Sequence, residues 1–278
     1  MVSLQTQNTS RTAVFEAITR QADGQPISRR SLQAHVIDIG LDPILSLVAI
    51  PGGTFQMGAA RSDGLGDAQP QHIVSVSPFY LAQGLTSQAL WKAVMGRPPH
   101  CRFKGDLLPV ENVSYADTQG FCHRLARLTG LPFRLPSEAE WEYACRAGMS
   151  TPFSTGETIT SEDANYCAEH TFAGEPAGEY RHTTTPAGSF PPNPFGIFDL
   201  HGNLWEWCAD VWHADYTAAP FGGQVWESGG EAGIRVARGG SWHEPPANCR
   251  TVIRLRTPES ERDDFYGFRV ALDGSQIG

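Results

Sequence analysis

Lysine is almost absent from this chain: of 21 basic residues only Lys92 and Lys104 are lysines, and the rest are arginines. We read this scarcity as coding bias. Acidic residues outnumber basic ones, 30 to 21, for a formal net charge of −9. Without a basic patch, nucleic acid is not expected as the main partner, because neutralising phosphates takes clustered positive charge. No apolar run approaches the ~18 residues that span a bilayer, so no membrane span is expected. The stretch MVSLQTQNTSRTAVFEAITRQ lacks the basic start and apolar core of a secretory signal, which points to a cytoplasmic protein. Metal-type cysteine pairs are also missing. Cys101, Cys122, Cys145, Cys167, Cys208 and Cys249 lie at least 21 positions apart, so free buried thiols in a reducing compartment are expected.

What is present is a chain of 278 residues, 40% hydrophobic, with 29 Gly and 20 Pro. That size fits one large domain or two small ones, and the spread of Leu, Ile, Val and Phe excludes general disorder. Residues 1–44 read as an N-terminal extension. Within it Arg11–Gln21 is expected to be a short helix capped by Ser10, and 22–30 is polar and turn-rich. LVAIPGGTFQMG reads as two strands divided by Pro51-Gly52-Gly53, and 73–82 as another. Helices are expected from Thr86 to Met95, from Ser114 to Gly130, and from Ser137 to Gly148, the last opening with a full capping box. The last 130 residues are short apolar runs between Gly, Pro, Asn and Asp, with strand candidates at 186–190, 196–200, 204–212, 234–241 and 267–272. The expected class is α+β with two or three helices, short irregular strands and long loops.

Five strings occur in order from about Leu45 to Leu272: IPGGTFQMG, PVENVSYADTQGFCHRLARLTGLPFRLPSEAEWEYACRAG, FGIFDLHGNLWEWCADVW, VARGGSW and GFRVAL. Together they resemble the formylglycine-generating-enzyme (sulfatase-modifying-factor) domain family. The resemblance implies a C-type lectin-like fold over 45–278 and leaves several trades open. Some members oxidise a sulfatase cysteine to formylglycine with copper held by two Cys. Others form sulfur–carbon bonds at a His-rich iron site on an added helical segment. Others bind ligands without chemistry. Where the oxidases carry two Cys after Gly239-Gly240-Ser241-Trp242, this chain has Glu244 and Cys249. A carboxylate is a poor substitute for a soft copper(I) ligand, so catalysis is not the favoured expectation. Residues 1–44 hold only His35, too few ligands for an iron site.

The same resemblance implies structural calcium. Asp199 and Glu206 are to give side-chain oxygens, with Gly202 and Leu204 giving carbonyls; a second set is Asn165, Tyr166, Glu179 and Arg181. The competing reading of Glu206 is a buried carboxylate capping a turn, and that of His201 a turn histidine bonded to backbone. Within the family, the frame RGGSW, NCR and GFR over 238–269 resembles the variable proteins of diversity-generating retroelements. There, adenine-directed rewriting scatters substitutions through a fixed frame and yields a binding surface. The corresponding slots are His243, Glu244, Pro245, Ala247, Ile253, Leu255, Arg256, Thr257, Asp263, Asp264, Phe265 and Tyr266. Their mixture of aromatics, charges and Arg suits contact with a protein or other macromolecular ligand. Glu244 is a special case, since adenine changes alone do not convert an Asn codon to Glu. The expected function is therefore a non-catalytic, diversified ligand-binding protein, with a metal-dependent formylglycine-generating oxidase as the alternative.

Overall fold

The structure is a computed structural model that describes residues 9–38 and 45–276. Its first elements are the strands β1 (Thr9–Arg20) and β2 (Pro26–Asp38), an antiparallel hairpin with Ala13 opposite Ala34. This corrects the expected helix at 11–21, and Ser10 lies in the strand rather than at a helix cap. The reason is periodicity of two: Ala13 and Ala17 are buried while Val14 between them is 63% exposed. The partner strand lies partly in the 22–30 stretch read as polar turn, where only the bend at 21–25 survives. β2 continues the hairpin into the main sheet by pairing with β3 (Ser46–Ile50).

The next pair, β4 (Gly53–Met57) and β5 (His72–Val76), forms a separate two-stranded ribbon. Pro78 divides the expected 73–82 strand, so that β6 (Phe79–Ala82) joins β3 instead. Helix α1 (Gln88–Met95) is capped by Ser87, one residue later than expected, and ends at Gly96. Helix α2 (Tyr115–Thr129) opens with the Ser114/Asp117 capping box, and α3 (Glu138–Arg146) with the Ser137/Glu140 box. Trp91, Phe121 and Phe268 meet between α1, α2 and the C-terminal frame, Trp91 stacked on Phe121 at 5.6 Å.

Downstream come β7 (Trp205–Trp212), β8 (Glu231–Arg238), β9 (Arg254–Pro258), β10 (Tyr266–Gly267) and β11 (Ala271–Asp273). The main sheet has the order β1-β2-β3-β6-β11, and a second has β10-β7-β8-β9, with β10 parallel to β7. The expected strands at 186–190 and 196–200 are turns and irregular chain: Pro192 and Pro194 remove donors, and Asn193 caps the turn with bonds to Phe195 and Ile197. Among the described residues no helix is long and apolar enough to cross a membrane.

Side-chain ion pairs tie these sparse ladders together. On α3, Glu138 takes Arg254 at 2.7 and 3.1 Å and the Tyr216 hydroxyl at 2.9 Å, while Glu142 takes Arg146 at 2.9 Å and Arg238. Burial alone would raise the Glu138 carboxyl; Arg254 and Arg238 overcome this and hold it below the ordinary carboxylate value. A second clamp is Arg269, whose guanidinium holds both oxygens of Glu206 at 2.6 and 2.7 Å and the carbonyls of Ala82 and Phe198 at 3.2 and 2.9 Å.

Removing one partner of such a pair leaves an uncompensated buried charge, a loss of roughly 3–5 kcal/mol. Glu142→Ala is therefore expected to lower the urea midpoint severely. Glu231→Ala, which breaks the half-exposed pair with Arg256, should leave it near wild type. Similar shifts in the two variants would show that the α3 cluster does not hold the fold.

Candidate ligand-binding face

The segment after β8 begins with a tight reversal. Gly239 and Gly240 have φ of 103° and 77°, and a Cβ on Gly240 would sit 2.5 Å from Cys249 Sγ. This turn delivers Trp242 into a buried slot, where its indole N–H donates to the Asp264 carbonyl at 3.1 Å. Phe103 meets the Trp242 ring edge-on at 5.4 Å, and Tyr180 lies nearly parallel to it at 6.2 Å. Beyond Trp242, exposed His243 shares a hydrogen bond of 2.8 Å with the Tyr180 hydroxyl, and the Tyr180 ring also lies against His182, tilted by 41°. Arg102 lies over both Phe103 and Trp242 and pairs with Asp264 at 2.5 Å. Guanidinium, imidazoles and aromatic rings thus gather on one face.

Arg102, Phe103, Tyr180 and His182 were not among the residues expected from sequence. They come from two loops at 101–105 and 180–182, far from the 238–269 segment. The first loop is held from below by buried Glu111, which accepts the Phe103 N–H at 3.0 Å. Burial pushes the Glu111 carboxyl up to about 7, against the lowering pull of the Phe103 and Arg102 N–H groups.

The expected slots divide. His243 and Arg256 are exposed; Glu244, Pro245, Ala247, Ile253, Leu255, Asp263, Asp264 and Phe265 are half-buried. Thr257 and Tyr266 are buried, which corrects their place in an exposed surface. The alternation of β9 turns Thr257 inward on the same side as Leu255. The parallel pairing of Tyr266 with Trp205 lays the tyrosine ring on Trp207 at 5.3 Å, leaving it 7% exposed. Tyr266 and Phe268, two positions apart, are both in the core. Gly267 between them answers a close approach: a Cβ would meet Leu204 at 2.6 Å and the Val110 carbonyl at 2.8 Å. The frame residues Trp242, Cys249, Phe268 and Arg269 are buried, and half-buried Arg250 is tied to the Ala247 carbonyl at 2.8 Å.

At the oxidase positions, Glu244 accepts from the Trp205 indole at 3.3 Å and from Asn248 at 2.7 Å. Cys249 is fully buried, and burial first, then the Glu244 charge, drives its thiol far above the ordinary value. In the metal loop, Asp199 adopts φ 58° and is half-buried, with Oδ2 itself buried and lacking a hydrogen-bond partner. Burial and the neighbouring Glu206 charge push its carboxyl up to about 7, with Arg269 opposing. Glu206 is occupied on both oxygens by Arg269. Asp199's orphaned oxygen beside Glu206 fits a hard cation. In the second set Asn165 Oδ1 is likewise buried without a hydrogen-bond partner. Asn165 is buried, but the Glu179 side chain is 67% exposed and pairs with Arg181 at 3.0 Å. Among the described residues, no group of three or more His, Cys, Asp or Glu side chains is placed to hold a metal. His201 has the backbone role expected of a turn histidine: Nδ1 donates to the Cys249 carbonyl at 2.8 Å and Nε2 accepts the Ser154 N–H at 3.0 Å. Burial lowers its pKa to about 4.

The sequence matches the profile described as "Sulfatase-modifying factor enzyme 1-like domain" over residues 41–274. The chain belongs to that family. It is 30% identical to the formylglycine-generating enzyme of Thermomonospora curvata, over 82% of this chain and 93% of that one. It is 27% identical to the inactive C-alpha-formylglycine-generating enzyme 2 of Bos taurus, over 86% and 92%. Among solved structures, PvdO from Pseudomonas aeruginosa superposes with a TM-score of 0.73 at 30% identity, covering 84% of this chain and 96% of PvdO. Treponema denticola variable protein 1 does so with a TM-score of 0.71 at 25% identity, covering 83% and 95%. The fold is the family's α+β, C-type lectin-like arrangement, and the resemblance to retroelement variable proteins holds at the level of structure.

In this family member the two C-terminal aromatics should behave alike. Tyr266→Ala and Phe268→Ala are each expected to cost ~3–5 kcal/mol in denaturant unfolding, as large core truncations do. His243→Ala should stay within ~0.5 kcal/mol of wild type. A silent Tyr266→Ala would return that ring to the binding surface.

Proposed function

We propose that this sulfatase-modifying-factor relative is a non-catalytic ligand-binding protein of the diversified type, displaying His243, Arg256, Asp264 and the half-buried slots around them. The observation that carries the reading is the state of the oxidase positions. Glu244 is engaged by Trp205 and Asn248, and the remaining Cys249 thiol is buried and held protonated. Copper(I) would find one disfavoured thiolate instead of two. The aromatic and guanidinium face around Trp242 has the composition of a binding hot spot, and the likeness to the Treponema variable protein supports the same reading. The six buried, unpaired cysteines suit a reducing, cytoplasmic setting.

The likeness to the Thermomonospora enzyme favours the oxidase as second reading. Incubation with copper and a Cys-containing sulfatase peptide separates the two. Mass spectrometry is expected to find the peptide unchanged, whereas a loss of mass at its Cys that disappears in Cys249→Ser would establish the oxidase. At the locus, a reverse-transcriptase gene and a near-copy of the 3′ segment differing at adenines would establish the diversified type.

We further propose that calcium is bound at Asp199 and Glu206, with the Gly202 and Leu204 carbonyls, as a structural ion. Calcium held only by the folded state stabilises it by ~2.7 kcal/mol at about 100-fold excess over Kd. Chelator should therefore lower the melting temperature of the wild type and leave Asp199→Ala unaffected. Asp199 is the residue to change, because Glu206→Ala would also free the Arg269 charge. Identical wild-type melting with and without chelator, and no calcium on elemental analysis, would remove the ion.

A further inference from the structure

We propose that the side of the ligand face formed by α1 and α2 docks an acidic segment of a protein partner; this rests on the binding-protein reading above. The net charge of −9 is unevenly placed. No Asp or Glu occurs between Asp67 and Asp106, nor between Asp117 and Glu138. Over 68–137 seven Lys and Arg face three acids, a net +4, which leaves −13 for the remaining chain. Of the three acids Glu111 is buried and Asp117 is paired with Arg262.

Part of this excess comes together where α2 meets the end of α1, although no run marks it in sequence. Lys92 lies on α1, Arg97 just beyond its end, and Arg124 and Arg127 on α2; with Lys104 all are exposed. A Cβ on Gly96 would lie 3.4 Å from Arg124 Nη2, so that guanidinium rests against the end of α1 beside Arg97. None of these five makes an ion pair among the described residues, whereas most other arginines do. Gln88, at the start of α1, holds the 101–105 loop by donating to the Phe103 carbonyl at 2.8 Å, and Arg102 on that loop pairs with Asp264 and covers Phe103 and Trp242 on the ligand face.

The chemistry selects a carboxylate-bearing protein segment. The cations are dispersed over two helices and a loop, with no backbone cradle for a single phosphate. They border an aromatic and Arg surface of the kind that anchors protein partners. The −13 of the remaining chain repels a long polyanion such as nucleic acid once it runs past the patch. Free charges beside a binding face act by steering, which raises the association rate and falls with salt.

The test uses the full chain and a fluorescein-labelled poly-glutamate peptide, with binding read by fluorescence anisotropy. Binding should weaken with added salt and fall about tenfold in Lys92→Gln/Arg97→Gln/Arg124→Gln, the combined effect expected of three exposed ion pairs. These are surface substitutions, so the melting temperature should be unchanged. Arg102→Gln should weaken the same binding, and indifference to it would detach the patch from the ligand face and overturn the proposal. No peptide binding at low salt, or tighter binding of single-stranded DNA of equal charge, would also overturn it. A salt-sensitive dimer of the chain itself, lost in the triple variant, would assign the patch to a second copy instead. Absence of poly-glutamate binding by the wild type, with the sulfatase peptide left unoxidised, would sink this inference alone, whereas oxidation of that peptide would sink the binding-protein reading beneath it.

Discussion

Guanidinium groups taken out of water are the constraint on which this fold depends. Arg20, Arg146, Arg238, Arg254 and Arg269 are all buried, in a chain with few long ladders. Each such charge costs several kcal/mol to desolvate, and only a partner set that uses most of its donors offsets that cost. The structure supplies such sets. Arg254 reaches Glu138 with two nitrogens and the His213 carbonyl at 3.0 Å with a third; Arg20 grips Asp163 at 2.6 and 2.8 Å and the Gly24 carbonyl at 2.8 Å. A lysine is a point charge with no planar fork and cannot reproduce these geometries. At these positions Arg is the residue the chemistry requires.

These clamps carry the candidate face. Arg269 joins the end of β6, the 198–199 loop and Glu206 at the start of β7, and β7 in turn pairs with β10 at Trp205–Tyr266 and Glu206–Gly267. Asp264 and Phe265, which precede β10, are positioned by that pairing, and Asp264 fixes both Trp242 and Arg102. In the proposed calcium loop, Arg269 already balances Glu206, while Asp199 keeps an orphaned oxygen. The ion would thus complete Asp199 rather than create the loop.

The helices were legible because capping is local. Ser114 with Asp117 and Ser137 with Glu140 announce their helix starts within four residues, and both boxes are present. The hairpin was not legible, because Val14, Phe15 and Ile18 satisfy a helical stripe as well as a strand over so short a span. Only pairing with β2 decides between them. The aromatic face failed for a related reason. Phe103, Tyr180 and Trp242 come from three loops separated by more than sixty positions, and no sequence periodicity links residues across such gaps. Glu206 was expected as a calcium ligand or a turn cap, and the partner that holds both its oxygens, Arg269, lies 63 residues away and was treated only as part of a frame.

The burial of Thr257 and Tyr266 changes what diversification of this segment would mean. A slot whose side chain stands in solvent tolerates nearly any residue, whereas one stacked on Trp207 tolerates few without loss of packing. Variation is then free at His243 and Arg256, restrained at half-buried Leu255, Asp264 and Phe265, and close to forbidden at Tyr266. Phe103 and Tyr180, outside the segment, supply a constant apolar floor. A ligand would read a fixed aromatic base through a smaller variable rim. Specificity could change at the rim without rebuilding the anchor that supplies most of the contact energy.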